Sequence, residues 1–162
     1  MRVVGIDPGA SGAIALFDTD FGSLQIVDTP TAIVKSGRSE RTRIVPSLFA
    51  QALENLRAEH AFIELVGAMP KQGLSSTFTF GHTAGVAEGI LAALRIPYAR
   101  LLPQEWQKLA RVSGGKDGAR MRAAQLFPAY ATKFARVKDD GRADASCIAF
   151  AGSLILTKGA AL

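Results

Sequence analysis

The stretch that most constrains the fold is Arg2-Val3-Val4-Gly5-Ile6-Asp7-Pro8-Gly9, close to the N-terminus. Its apolar run predicts a short buried strand, Val3–Ile6, that stops at a carboxylate. Pro8 has no N–H and cannot continue a central ladder, and Gly9 allows the backbone to turn. Asp7 is therefore predicted at the carboxyl end of an inner strand, where open α/β sheets place their chemistry. The alternative is an aspartate that only begins a turn.

Two further strands are predicted directly after this one, at Ser11–Asp18 and Leu24–Asp28. The short gaps between the three strands favour an antiparallel meander. The polar and charged segment 29–42 is predicted to be a mobile loop. Apolar residues at helical spacing then predict a helix that begins around Pro46 and ends near Glu59.

The fourth strand, Ala61–Val66, carries a single charge, Glu64. A lone carboxylate in an apolar run is costly to bury unless it binds something. A long helix is predicted over Thr77–Leu94, after a loop at 67–76. Its glycines recur every four residues and would permit close packing against the sheet or another helix; they are Gly81, Gly85 and Gly89. Ile96–Leu102 is the fifth predicted strand, and helices follow from Pro103, Ala119 and Ala145.

The charge distribution indicates an anionic partner, with nucleic acid first among the candidates. The chain has a net charge of +5 and a pI of about 9.7. The basic excess belongs to the C-terminal part, since Arg100–Asp144 contains 10 Lys or Arg against 5 Asp or Glu, whereas residues 1–99 contain 8 against 9. The alternative is an ordinary solvated surface that keeps the chain soluble.

Several classes of protein do not fit the sequence. No apolar run reaches membrane-spanning length, so no membrane association is expected. The single Cys147 excludes an internal disulfide and any zinc site built from several cysteines. The chain enters a strand at once, without a basic and apolar leader, and a cytoplasmic location is expected.

Acidic residues stand out at four places: Asp7, Glu64, Asp144, and either Asp139 or Asp140. Two end predicted inner strands, and the others lie where the last helix begins. Clustered carboxylates repel one another unless a cation neutralises them, and ligand sets made of oxygen alone suit Mg²⁺ or Mn²⁺. Two such ions about 3.5–4 Å apart support phosphodiester cleavage.

Taken together, the motifs resemble those of the RuvC-like Holliday junction resolvases, within the RNase H-like nuclease superfamily. The matching elements follow the family's order along nearly the whole chain. They are Gly5-Ile6-Asp7-Pro8-Gly9, Ile63-Glu64, Gly81-His82-Thr83-Ala84-Gly85, Pro103-Gln104-Glu105-Trp106 with Lys116 after it, and Asp140-Gly141-Arg142-Ala143-Asp144-Ala145. The small size and the Lys-Asp-Asp-Gly-Arg form of the last motif look more like phage-borne relatives than the standard bacterial enzyme.

The resemblance implies an α/β, RNase H-like fold in a single domain, 1–162. Its five-stranded mixed sheet would have three antiparallel strands and then two parallel ones, flanked by helices. The activity implied is that of a homodimeric, Mg²⁺-dependent endonuclease that resolves four-way DNA junctions by paired symmetric nicks. Mn²⁺ is expected to substitute, with two ions per active site.

The resemblance also assigns roles to individual residues. Asp7, Glu64 and Asp144 would be metal ligands, and Lys116 would lie near the scissile phosphate or a neighbouring one. Asp140 is the favoured fourth ligand, because it lies four residues before Asp144 and would share its helix face. On this assignment, Asp139 is expected to be a solvated charge. Two alternatives stay open: Asp140 only caps the helix, or Asp139 is the fourth ligand. The basic residues expected nearest the DNA backbone are Lys108, Lys116, Arg120, Arg122, Lys138 and Arg142.

Two departures from the family pattern affect these expectations. The bacterial family usually has its last two acids three residues apart, and here Gly141 occupies the position three before Asp144. The family also carries an aromatic residue shortly after the strand-four glutamate, where it engages DNA bases. Here Leu65-Val66-Gly67-Ala68-Met69-Pro70 follows Glu64, and Phe78 and Phe80 come too late to be assigned that role.

Three other functions fit parts of the same sequence. A nuclease that acts on other branched DNA or on RNA fits the same motifs. Asp7-Pro8-Gly9-Ala10-Ser11-Gly12 also resembles the phosphate loop of actin-like ATPases, but these need a duplicated domain and a second loop. A DNA-binding scaffold without activity would not need acids at every expected position. His60, His82 and Trp106 are expected to have surface or packing roles.

Overall fold

The computed structural model describes residues 1–36, 39–65, 67 and 73–159, and a mixed β-sheet lies at its centre. The strands are β1 (Arg2–Asp7), β2 (Ala13–Asp18), β3 (Ser23–Asp28), β4 (Thr31–Ser36), β5 (Ser39–Ile44), β6 (His60–Glu64) and β7 (Tyr98–Leu101). The α-helices are α1 (Pro46–Leu56), α2 (Leu74–Ala93), α3 (Pro103–Ala110), α4 (Gly118–Leu126) and α5 (Asp140–Lys158). Short 3₁₀ segments occupy Gly115–Asp117, Pro128–Phe134 and Val137–Asp139.

The five-stranded sheet has the order β3-β2-β1-β6-β7. β1, β2 and β3 pair antiparallel, and β6 and β7 continue the sheet parallel to β1. The predicted fold class, with three antiparallel strands and then two parallel ones, is therefore confirmed. The parallel part requires crossover connections, and α1 and α2 supply them.

The sheet is covered on both faces, which explains why β1 is apolar without interruption. Alternate residues of β1 enter different clusters, with Val3 on the side of α5 and Val4 on the side of α1 and α2. Trp106 of α3 and Ile148 of α5 belong to the first cluster, and the second contains Phe49 and other α1 residues. Burial of about 1.5–3 kcal/mol per large apolar side chain on each face makes this layer the main source of stability.

The central helix α5 lies unusually close to β1. A Cβ atom added at Gly5 would collide with the backbone of α5 at Ala145 and Ala149. One added at Gly152 would collide with the ring of Phe62 on β6. Glycine is needed at these two positions because the backbone of α5 and the sheet leave no room for a side chain between them.

The segment predicted to be a mobile loop, 29–42, forms most of an antiparallel hairpin made of β4 and β5, so that prediction was wrong. The error has a physical reason, since every described side chain from Thr31 to Thr42 is exposed. With no buried face, the hairpin shows no alternation of apolar and polar residues for a sequence pattern to reveal. The predicted loop at 67–76 lies mostly outside the described residues, and α2 begins within it at Leu74.

The glycines of α2 do not contact the sheet. Gly81, Gly85 and Gly89 are exposed, and a Cβ atom at any of them would meet nothing within 4 Å. The prediction that they permit packing on the chain's own sheet is therefore wrong, whereas packing against another helix stays a prediction. Among the described residues, no helix is long and apolar enough to cross a membrane.

The close approach of α5 to β1 predicts a strong effect of Gly5→Ala. The new methyl group meets backbone atoms that cannot rotate away, and we expect the free energy of unfolding to fall by about 3 kcal/mol. Urea titration followed by circular dichroism measures the loss. Gly89→Ala is the control, because its methyl group enters open space; at concentrations too low for self-association it should raise stability by about 0.5–1 kcal/mol. Equal stability of Gly5→Ala and the unmodified chain would contradict the packing described here.

Candidate active site

The sheet register brings Asp7 and Glu64 to the same edge. Ile6 on β1 pairs with Ile63 on the parallel strand β6, and each acid is the next residue of its strand. Neighbouring strands lie about 4.8 Å apart, and successive side chains point to opposite faces. Because Ile6 and Ile63 both face the α1 and α2 layer, Asp7 and Glu64 both point to the face that α5 covers.

Asp7 is held by the turn that follows it. Its Oδ1 accepts a hydrogen bond of 3.0 Å from the backbone N–H of Gly9. A Cβ atom at Gly12 would collide with the Asp7 backbone carbonyl, so the 8–12 loop folds tightly around the acid. Burial raises the pKa of Asp7, and the Gly9 hydrogen bond offsets part of that effect. The hydrogen bond to Gly9 is an Asx turn, so Asp7 begins a turn and is at the same time a fixed carboxylate at the end of the strand.

Glu64 is oriented by a buried tryptophan. Trp106, only 1% exposed, donates a hydrogen bond of 3.0 Å from its Nε1 to Glu64 Oε1. Burial raises the pKa of Glu64, the Trp106 hydrogen bond lowers it, and the charge of Asp7 raises it again. Sequence reasoning expected only packing from Trp106. The available signal was chemical, since a buried indole N–H needs an acceptor.

Asp144 lies on the second turn of α5, and its pKa is raised well above the ordinary value of a carboxyl group. Burial, followed by the charges of Asp7, Glu64 and Asp140, raises its pKa to about 8. Within the described part of the chain its carboxylate accepts no side-chain hydrogen bond and forms no ion pair. The pKa of Asp144 is thus sensitive to three other carboxylates, two at strand ends and one on its own helix.

The donor set fits a hard divalent cation, because it consists of carboxylate oxygens alone. In the ranges that the structure describes, however, no three Asp, Glu, His or Cys side chains are already gathered closely enough to hold a metal ion. Uncompensated carboxylates repel one another, so a separated arrangement is what electrostatics predicts for these side chains without a cation. Binding would therefore draw the side chains together.

Asp140 and Asp139 have opposite environments. Asp140 is the first residue of α5, so it shares a helix face with Asp144; its side chain is 54% exposed and lies 2.8 Å from Arg120 Nε. Asp139 is 1% exposed and forms ion pairs with Arg136 at 2.8 Å and Arg142 at 3.3 Å. Hydrogen bonds from Arg136 lower the pKa of Asp139 to about 2. The expectation that Asp139 is a solvated charge was therefore wrong, and α5 begins five residues before the predicted Ala145.

Gly141 explains the departure from the family pattern. A Cβ atom at this position would lie 2.9 Å from Asp7 Oδ2, 2.7 Å from Gly12 Cα and 2.5 Å from the Ser11 carbonyl oxygen. A carboxylate three residues before Asp144 cannot be accommodated here, because α5 approaches the 8–12 loop too closely. Any further acid from this helix turn must come from Asp140.

Three of the basic residues predicted to contact DNA are engaged within the chain. Arg142 binds Asp28 through two contacts of 2.5 Å, and Arg120, 11% exposed, lies between Asp117 and Asp140. Arg122 donates to the Ala110 carbonyl oxygen at 2.6 Å. These arginines connect elements of the chain to one another, and their contact with a DNA backbone stays a prediction. Lys108, Lys116 and Lys138 are exposed and form no ion pair with any described residue.

Comparisons with known proteins find similar structures but no similar sequences. No protein-family model matches the sequence, and no curated protein matches it significantly. The RuvC of Thermus thermophilus in complex with a Holliday junction substrate matches with a TM-score of 0.68 and 13% identity, over 98% of this chain and 96% of that one. A second Thermus thermophilus RuvC structure matches with a TM-score of 0.62 and 15% identity, over 98% of this chain and 97% of the other.

A more distant match is Ydc2, the yeast mitochondrial Holliday junction resolvase. It has a TM-score of 0.50 and 16% identity, over 93% of this chain and 78% of that one. At these identities the likeness establishes architecture. The chain therefore has the fold of RuvC over nearly its whole length, which confirms the predicted architecture.

Proposed function

We propose that this chain is a structure-selective endonuclease that resolves four-way DNA junctions by paired, symmetric nicks. The observation that carries the proposal is the placement of carboxylates at the end of β1, the end of β6 and the start of α5, where the charges of Asp7 and Glu64 raise the pKa of Asp144. These carboxylates occur in a chain that matches, at nearly equal length, a RuvC structure solved with a Holliday junction substrate.

Asp7, Glu64, Asp144 and Asp140 are the proposed ligands of Mg²⁺, for which Mn²⁺ substitutes, with two ions per site. When bound, the cations supply Lewis-acid chemistry, which stabilises the charge that develops at the phosphate and acidifies a water molecule. The chain's own contribution is orientation. The Gly9 N–H fixes Asp7, and the Trp106 indole fixes one oxygen of Glu64.

Lys116 is proposed to contact a phosphate beside the cleaved bond. It is exposed on the 3₁₀ segment Gly115–Asp117, directly before α4. Lys108 and Lys138 are proposed as further phosphate contacts, since they too are exposed and unpaired among the described residues.

Paired nicks across a two-fold junction need two active sites, so we propose a C₂ homodimer. The α2 glycine face, made of Gly81, Gly85 and Gly89, is open in the single chain and would allow a second helix to approach closely. The alternative substrates are other branched DNA and RNA.

The first test of the proposed function is Asp7→Asn. Loss of a ligand removes Lewis-acid stabilisation worth several kcal/mol, so we expect Mg²⁺-dependent cleavage of a four-way junction to fall about 1,000-fold while junction binding remains. Gel analysis of labelled junction, linear duplex and RNA, with and without Mg²⁺, measures the rates. Glu54→Gln, an exposed change on α1, is the control. Cleavage of RNA in preference to the junction would replace the proposed substrate, and wild-type rates for Asp7→Asn would remove the proposed site.

Asp144→Asn tests the same site through stability. The pKa of Asp144 is raised in the folded chain, so folding loses stability as pH rises from about 4 to about 8, and the neutral amide avoids this loss. In EDTA, we expect the variant to melt higher than the unmodified chain at pH 8.5, on the order of 5 °C, with a smaller difference at pH 5.

The same melting experiment reports on the cation. Added Mg²⁺ should raise the melting temperature of the unmodified chain and leave that of Asp144→Asn nearly unchanged, because ligands stabilise only the state that binds them. Equal Mg²⁺ stabilisation of both proteins would show that Asp144 is not a ligand.

A paired substitution distinguishes Asp140 from Asp139. Asp140→Asn should reduce cleavage strongly with little change in stability, because the side chain is more than half exposed. Asp139→Asn should instead lower the free energy of unfolding by about 1–3 kcal/mol, since it weakens the hydrogen bonds that a buried carboxylate accepts from Arg136 and Arg142. Cleavage is measured well below both melting temperatures. If Asp140→Asn cleaves normally, the site has only three protein carboxylates.

A further inference from the structure

The β4–β5 hairpin leaves the sheet at the edge that carries the acids. Asp28, the last residue of β3, pairs with Ala13, and Ala13 pairs with Asp7. Two strand spacings of about 4.8 Å therefore separate the end of β3 from Asp7. The Thr29 N–H donates to the Gly12 carbonyl oxygen at 3.0 Å, which fixes the chain as it leaves the sheet. β4 begins two residues later.

The hairpin forms a separate, extended arm. Its strands pair with each other, and neither belongs to the five-stranded sheet. Six residues per strand give a length of about 20 Å, which matches about six base pairs of a duplex at 3.4 Å per pair.

The two faces of the hairpin differ in charge. On one face, Arg41 lies opposite Val34, and Arg43 lies opposite Ala32. This face carries two cations, no acid among its described residues, and only small apolar side chains beside the guanidinium groups. On the other face, Lys35 is neutralised by Glu40 at 3.5 Å.

The two arginines differ in their contacts and in their distance from the tip of the hairpin. Arg43 donates from Nη1 to Thr79 Oγ1 at 2.8 Å, and its guanidinium carbon lies 5.7 Å from the centre of the Phe78 ring, so α2 holds it in place. Arg41 lies two residues nearer the tip, about 7 Å further along the strand. It is exposed and forms no ion pair with any residue that the structure describes.

We propose that the β4–β5 hairpin is a DNA-binding arm, and that Arg41 and Arg43 contact backbone phosphates of a duplex arm beyond the cleavage site. This inference rests on the proposed nuclease function and adds a surface to it. An anionic partner matches a face that carries cations alone. Two of the arginines first expected to bind DNA are neutralised by acids, and a third donates to a backbone carbonyl. Among the described residues, Arg41 forms no ion pair and Arg43 contacts only uncharged side chains, so both keep their positive charge for a phosphate.

The test is the double substitution Arg41→Gln with Arg43→Gln, made in a chain that also carries Asp7→Asn to prevent cleavage. Fluorescence anisotropy with a labelled four-way junction gives the dissociation constant between 50 and 200 mM NaCl. Each lost phosphate contact reduces the slope of log K against log salt by about 0.9, so we expect a slope shallower by about 1.8 and binding at least about tenfold weaker at 100 mM. Arg41→Lys with Arg43→Lys should restore most of the affinity.

The matched control is Arg57→Asn with Arg95→Asn. Both arginines are exposed and have positive φ values of 49° and 57°, a conformation that asparagine tolerates. Both precede strands that run toward the acids, so they lie at the opposite edge of the sheet. The control removes the same charge and should leave the salt slope unchanged.

Several results would overturn the inference. They are a glutamine variant with unchanged affinity and slope, an equal loss in the control, failure of the lysine variant to recover, and conversion of the glutamine variant to monomer in sedimentation. Cleavage of the junction by the unmodified chain is measured in parallel. If that chain cleaves the junction and the hairpin variant binds normally, only the hairpin inference fails. If that chain neither binds nor cleaves the junction, the proposed function itself fails.

Discussion

The close contact between α5 and β1 is the constraint on which the rest of the structure depends. Gly5 lets the helix backbone rest on the strand, and Gly141 lets its first turn approach the 8–12 loop. The same contact carries Asp144 over the edge where Asp7 and Glu64 end their strands. The acids are then partly removed from water, and the charge of Asp7 raises the pKa of Glu64, while the charges of both raise the pKa of Asp144. Their proximity opposes folding until a cation or protons neutralise them, as is common where function is built into a core.

The features predicted correctly from the sequence are those in which residues are buried, because buried positions require apolar side chains. β1, β2 and β6 are mostly apolar because the sheet is covered there, and Asp7 and Glu64 are conspicuous because each ends such a run. The β4–β5 hairpin was missed for the converse reason. The hairpin buries almost no side chains, so its charged and polar residues, such as Glu40 and Arg41, do not alternate with apolar ones.

The errors at the start of α5 have a different origin. Whether Asp139 or Asp140 is buried depends on a shift of one residue in the helix start, and local spacing does not fix that shift. The burial of Asp139 also depends on Arg142, whose position is set by Asp28, 114 residues away in the chain. Net charge was equally uninformative about individual residues. It indicated a basic C-terminal part, but several of its arginines neutralise nearby acids, and Arg41, which pairs with no acid that the structure describes, lies outside that part.

The hydrogen bond between Trp106 and Glu64 also gives the chain an optical reporter. The sequence contains a single tryptophan, so its intrinsic fluorescence arises from one indole, and that indole touches a proposed ligand. Any event that draws Glu64 toward a cation, or protonates it, changes the polarity around that ring. Occupancy of the acidic site should therefore be visible in the emission of the unlabelled protein, separately from DNA binding and cleavage.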